Sequence, residues 1–130
     1  MFEDDYILDQ IRRIANLVLR MLDTQQKDTP LAVEQACQSL VGLPLSTATL
    51  LDRTSLERML GDGHPHQRAG LGMLLLGRGI QLVEAGSPGG PDLLDSGLAL
   101  TEAAAAQLPA VPPELASLMA RGQALRHPWS

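Results

Sequence analysis

Aromatic side chains are almost missing from this chain. Phe2, Tyr6 and Trp129 are the three present, so no Phe, Tyr or Trp lies between Ile7 and Pro128. A sheet-based core draws on aromatic and β-branched residues, and this composition does not supply them. Stacking platforms for bases, sugars or flavins are lacking too. Cysteine is scarcer still: Cys37 stands alone, which excludes an intramolecular disulfide and a thiolate metal cluster. Lys27 is the single lysine, and the net charge of −5 argues against a sequence-independent nucleic-acid binder, which needs a basic footprint. The charges are interspersed, so there is no acidic tail. The longest greasy segment, Ala69 to Gly77 between Arg68 and Arg78, falls far short of the roughly 20 residues that cross a bilayer. The acidic opening Met-Phe-Glu-Asp-Asp-Tyr is unlike the basic start of a secretion signal and unlike an acid-poor transit peptide. The expected address is therefore the cytoplasm, with neither membrane nor nucleic acid as a partner.

What remains is aliphatic. Hydrophobic residues make up 45% and charged residues 19% of 130 residues, an ordinary balance for one globular domain. Ile7, Ile11, Ile14, Val18 and Met21 follow the spacing of one helix face, with Leu8, Ala15 and Leu22 as a second ridge and Leu17 widening the stripe. So broad an arc predicts two neighbours for this helix. Glu3, Asp4 and Asp5 suit its positive end, Asp9 can reach Arg13, and the helix fades at Asp23 to Lys27. Thr29-Pro30 predicts the start of a second helix, with Thr29 as N-cap, Leu31, Ala32, Ala36, Leu40 and Val41 buried, and Gly42 as the stop. A short connection makes it antiparallel to the first.

Residues 44–64 read as a short helical connection. Ser46 to Leu51 predicts a single turn. Thr54 with Glu57 reads as a capping box before Leu56, Met59 and Leu60, and Gly61-Asp62-Gly63 ends that helix. Gln67 to Ala85 is apolar nearly all round, which predicts a central buried helix. Its glycines recur at heptad spacing, Gly70 with Gly77 and Gly72 with Gly79. Each costs about 1 kcal/mol of helix propensity against Ala, so close approach of a neighbouring backbone is the expected return. After the Ser87 to Pro91 loop, Pro91 opens a helix with Leu94, Leu98, Thr101, Ala104, Ala105 and Leu108 on one side, and Pro109 ends it. Pro112-Pro113 begins a last helix carrying Leu115, Leu118, Met119 and Leu125, with Trp129 folding back over the bundle end or meeting a partner. The fold class expected is all-α: one domain over 1–130, an array of antiparallel helical hairpins, with 1–43, 65–109 and 110–130 as first hairpin, second hairpin and final helix.

The second hairpin resembles a tetratricopeptide unit. Leu75, Gly79 and Leu82 stand at its large, small and large positions, and Gly97, Thr101, Ala104 and Pro109 at the small, larger, small and terminal-proline positions. The loop between them is several residues longer than that unit uses. The whole chain is also similar to a group of short, functionally uncharacterised bacterial helical proteins that open with Met-x-x-x-Asp-Tyr-Ile. Here the matching residues are Met1, Asp5, Tyr6, Ile7 and Ile11, followed by the Leu40 to Leu43 turn and the Leu71 to Gly86 helix. The resemblance implies a helical-hairpin fold and a bacterial origin, and no activity.

Few residues suggest chemistry. His64-Pro65-His66, with Asp62 near and Cys37 within conceivable reach, is the one histidine pair; a zinc site needs three or four ligands, so a polar loop is the simpler reading and no metal or cofactor is expected. Cys37 lies mid-helix among Ala36, Leu40 and Val41, where a small buried apolar role fits better than a reactive thiolate. Gly70-x-Gly72 and Gly77-x-Gly79 lack the strand and third glycine of a phosphate loop. Gly89-Gly90 precedes a helix, but Asp92 and Asp95 would repel an anion there. Arg12, Arg13, Asn16 and Arg20 share the polar side of the first helix and could receive a partner's acidic segment; Asp9 and Asp23 could equally neutralise them. No nucleophile elbow or general acid/base pair is present. The expectation is a protein-interaction module or homodimer rather than an enzyme, with Arg12, Arg13, Asn16, Arg20 and Trp129 as contact residues. The alternative is a ligand-binding regulator or small enzyme with an inter-helix pocket near His64, His66 and Arg68.

Overall fold

The computed structural model of the chain describes residues 2–24, 28–51, 53–60, 65–108 and 110–126. Among the described residues there are seven helices and no strand: α1 (Phe2–Thr24), α2 (Asp28–Val41), α3 (Leu45–Ala48), α4 (Arg53–Leu60), α5 (Pro65–Glu84), α6 (Gly90–Ala105) and α7 (Pro113–Arg126). The all-α expectation holds. Between Ala69 and Ile80 every residue of α5 except Arg78 is buried, as its all-round apolar pattern requires. Helices α1, α2, α6 and α7 pack around it.

The glycines decide how they pack. The two heptad pairs on α5 face different neighbours. A methyl on Gly70 would lie 2.5 Å from Leu40 Cδ2 of α2 and 2.8 Å from Ile14 Cδ1 of α1, and one on Gly77 would collide with Val18, so this pair admits side chains of α1 and, at Gly70, of α2. A methyl on Gly72 would lie 2.8 Å from the Thr101 nitrogen and one on Gly79 2.6 Å from that of Leu94, so the other pair admits α6. Helix α6 answers with its own glycines: Gly97 is pressed on the Leu76 backbone, and a methyl on Gly90 would lie 2.7 Å from the Val83 nitrogen. The contacts therefore run Gly72–Thr101, Leu76–Gly97, Gly79–Leu94 and Val83–Gly90. Each step of four or three along α5 is matched by the same step back along α6, the register of an antiparallel pair with its axes drawn together.

Side-chain pairs give the remaining directions. Arg12 meets Glu114 and Arg121 meets Asp23, so α7 runs parallel to α1. Gln123 meets Glu102 and Arg126 meets Asp95, so α7 is antiparallel to α6. Gln67 donates to the Leu40 carbonyl, with Gly70 against the Leu40 side chain, and sets the end of α2 beside the start of α5. Helix α7 thus touches α6, α5 and α1 at once, and the first and last long helices meet.

Several local expectations need correction. Helix α2 begins at Asp28, so Thr29 lies inside it rather than capping it. Pro30 tolerates this because the first-turn N–H groups have no intrahelical acceptor in any case. Helix α4 begins at Arg53, which likewise puts Thr54 inside and removes the capping box. The buried centre of α2 is Val33 and Cys37, with Ala32, Ala36, Leu40 and Val41 only half-buried. The cause is that α2 wedges between α1 and α5 and buries the line between them. Helix α6 starts at Gly90 rather than Pro91 and ends at Ala105, before Leu108 and ahead of Pro109, which lies outside the described residues. The stop at Gly42 holds, with φ at +81° and the Gly42 N–H donating to the Gln38 carbonyl at 2.9 Å.

Candidate functional site

Helix α1 carries the residues with the best claim to a contact surface. Its inner side, Ile11, Ala15, Val18 and Met21, is buried against α5 and its neighbours. Its outer side is a continuous exposed stripe of Tyr6, Asp9, Arg13, Asn16, Arg20 and Asp23, which recurs every three and four residues. Three of the four helix residues expected at a partner surface, Arg13, Asn16 and Arg20, belong to that stripe.

Arg12 stands at its edge and is drawn toward α7. Its Nη2 lies 3.3 Å from Glu114 Oε1. Glu114 sits in the first turn of α7, where its own backbone N–H, and then Arg12, hold its carboxyl below the ordinary range, against the opposing effect of desolvation. Arg12 is thus a clamp between the first and last helices. Arg13 pairs with Asp9 on its own helix at 3.0 Å. The Arg13–Asp9 pair is exposed on both sides, the class of ion pair that contributes about 0–1 kcal/mol and exchanges partners readily, whereas the Glu114 carboxyl is largely covered.

Sequence reasoning missed Tyr6 as part of this surface. Tyr6 is 59% exposed. The signal was available: Tyr6, Arg13 and Arg20 are spaced by sevens. Trp129 and His64 lie outside the described residues, as do Asp62 and the side chain of His66. Among the described residues no group of three or more His, Cys, Asp or Glu is placed to hold a metal ion.

Cys37 is fully buried, and burial, then the charge of Glu34, pushes its thiol up to about 11. At neutral pH it is protonated and a poor nucleophile. Glu34 is occupied as well. Its carboxylate oxygens accept the Ser46 N–H at 3.1 and 3.2 Å, so a side chain of α2 caps the start of α3.

Cavities lie elsewhere. One of about 300 Å³ has Met21, Val33 and Leu45 as its apolar side and Glu34, Arg78 and Gln81 among its polar groups. A second, of about 360 Å³, is lined by Leu60, Arg68, Leu100, Ala103 and Ala104. A third, of about 370 Å³, is mostly apolar and lies where Val83, Leu94 and Leu125 meet, with the Asp95–Arg126 pair beside it. No helix among the described residues is long and apolar enough to cross a membrane. No protein-family model, curated protein or solved structure matches the chain.

Proposed function

We propose that this chain is a helical protein-interaction module, working as a homo-oligomer or on another protein, with the exposed stripe of α1 as its contact surface. The observation that supports this is the composition and continuity of that stripe. Tyr and Arg are over-represented where interfaces concentrate their binding energy, and here an exposed Tyr6 heads a rigid row with Arg13 and Arg20. A helix clamped by α2, α5 and α7 presents such a row at little ordering cost. The finer architectural reading is a tetratricopeptide-like hairpin in α5 and α6. Its support is that Gly79, Gly97 and Thr101 occupy the close contacts between those helices. A small bacterial protein of the cytoplasm is the setting in which this reading belongs.

The test is affinity capture with the intact chain as bait, repeated with Arg13→Glu/Arg20→Glu. The expected result is a specific partner, or the chain itself, held by the native bait and lost from the variant. Equal recovery by both baits moves the surface off α1.

The alternative is a ligand-binding regulator or small enzyme. It is favoured by one observation: Arg68, expected beside His64 and His66 in an inter-helix pocket, does line a cavity. Retention of metal or a small molecule by the purified protein, lost on Arg68→Leu, would support it over the first reading.

A further inference from the structure

The stripe on α1 has an internal symmetry that says what it fits. Read forward, its residues are Tyr6, Asp9, Arg13, Asn16, Arg20 and Asp23, all exposed. Laid against itself in reverse, Tyr6 meets Asp23, Asp9 meets Arg20, and Arg13 meets Asn16. No like charges fall opposite one another. We infer that the partner of this face is a second copy of the chain, with the two α1 helices antiparallel about a two-fold axis between Arg13 and Asn16. This rests on the proposed role of α1 and names its occupant.

Three features carry it. First, a two-fold contact must be self-complementary, since each position meets its opposite twice. This order of charges satisfies that condition, whereas an acidic segment from another protein would meet Asp9 and Asp23. Second, the stripe has the spacing of an antiparallel helix seam. The molecule already makes such a seam internally: Gly72, Leu76, Gly79 and Val83 on α5 step by four and three against α6. The α1 stripe steps by three and four along one face in the same way, with charged and polar side chains where α5 carries small and apolar ones. Third, Leu17 and Leu19 flank the middle of the stripe on either side, and each keeps part of its surface uncovered. They supply apolar area beside the axis, and Tyr6 supplies it at each end.

The register is determined by length. Sliding the helices by one heptad leaves four of the six positions of each copy engaged, so the full overlap is preferred. Asp9 can accept from Arg13 of its own helix and from Arg20 of the partner helix together, because a carboxylate has room for both.

A charge-swap experiment tests this. Sedimentation of the native chain should show its average mass rising with concentration from 13.9 kDa toward twice that value. Asp9→Arg places Arg opposite Arg20, and Arg20→Asp places Asp opposite Asp9, so each variant alone should remain monomeric. Mixed in equal amounts they should form a heterodimer, since Asp9 of one then meets Arg20 of the other and the swapped pair is likewise opposite in sign. Circular dichroism of each variant shows whether it has folded, and Asp9→Asn with Arg20→Gln serves where a swap has not. A native chain that stays monomeric, a dimer indifferent to both variants, or a mixture that fails to associate overturns the pairing. A monomeric chain whose α1 still captures a different protein, lost in Arg13→Glu/Arg20→Glu, overturns the pairing and leaves the proposed function standing.

Discussion

Two residues show how burial and local charge set reactivity here. Cys37 is covered on all sides, and its thiol is pushed from the ordinary 9.0 to about 11. The folded chain should resist alkylation at pH 8 and react at a rate limited by opening; a stopped-flow thiol assay with and without denaturant measures this. Because the folded value is raised, the neutral thiol's contribution to stability is complete below pH 9 and declines as pH rises toward about 11. Unfolding curves across that window should flatten in Cys37→Ala. Glu114 behaves in the opposite sense. Its carboxyl is lowered below the ordinary 4.5, first by its own backbone N–H and then by Arg12, so its contribution is present above that value and lost as pH falls through the lowered one. In a carbon-detected titration, Arg12→Ala should move the Glu114 midpoint part of the way back, since the backbone contribution survives. A full return would make Arg12 the main cause.

At the scale of elements, the α5–α6 pair is the most constrained part of the chain. Gly97→Ala would drive a methyl into the Leu76 backbone, and a backbone cannot rotate aside as a side chain does. Overpacking of this kind costs about 1–3 kcal/mol and outweighs the roughly 1 kcal/mol of helix propensity that alanine gains. Gly89→Ala meets nothing within 4 Å and should change stability by less than about 0.5 kcal/mol. Urea unfolding of the two variants side by side gives the comparison; equal effects would mean that the helices can separate to admit a side chain. The recurrence of Gly70, Gly72, Gly77 and Gly79 made close approach legible in the sequence, but a neighbouring backbone comes near only at Gly72 and Gly79, while Gly70 and Gly77 meet side chains, and the sequence did not say which neighbour each admits. A glycine records that something comes near and carries no information on what. Helix α2 shows the same limit: its periodicity suits several faces, and the wedge between α1 and α5 chose Val33 and Cys37.

For the molecule as a whole, α5 is the member that touches nearly everything. Leu76 is fully buried, lies against Gly97 of α6, and would sit 2.7 Å from a methyl on Gly122 of α7. Leu76→Ala should therefore cost about 2–5 kcal/mol, read as a lowered denaturation midpoint, while retaining a single transition. Native-state hydrogen exchange should protect the amides of Leu74 to Ile80 up to the global unfolding free energy. Helices α3 and α4, short and on the periphery, should open locally at much lower cost. Exchange of α4 as slow as α5 would show that it is integral to the cooperative unit.

The candidate surface divides along the same line. Arg12, Arg13, Asn16 and Arg20 were visible as one polar side of a helix, because a period of 3.6 residues sorts a helix into faces without help from the rest of the chain. That Arg12 turns to Glu114 could not be seen, because the two stand on helices at opposite ends of the sequence. The exposure of Tyr6 depended likewise on where α2, α5 and α7 stop covering α1. Helical periodicity, scarcity of rings and the placing of glycines and prolines were enough to specify an all-α chain with a buried central helix, since each acts over one or two turns. The return of α7 onto α1, the partner of each glycine pair and the outward face of α1 were decided only in three dimensions, where packing selects among faces that the local pattern leaves equivalent.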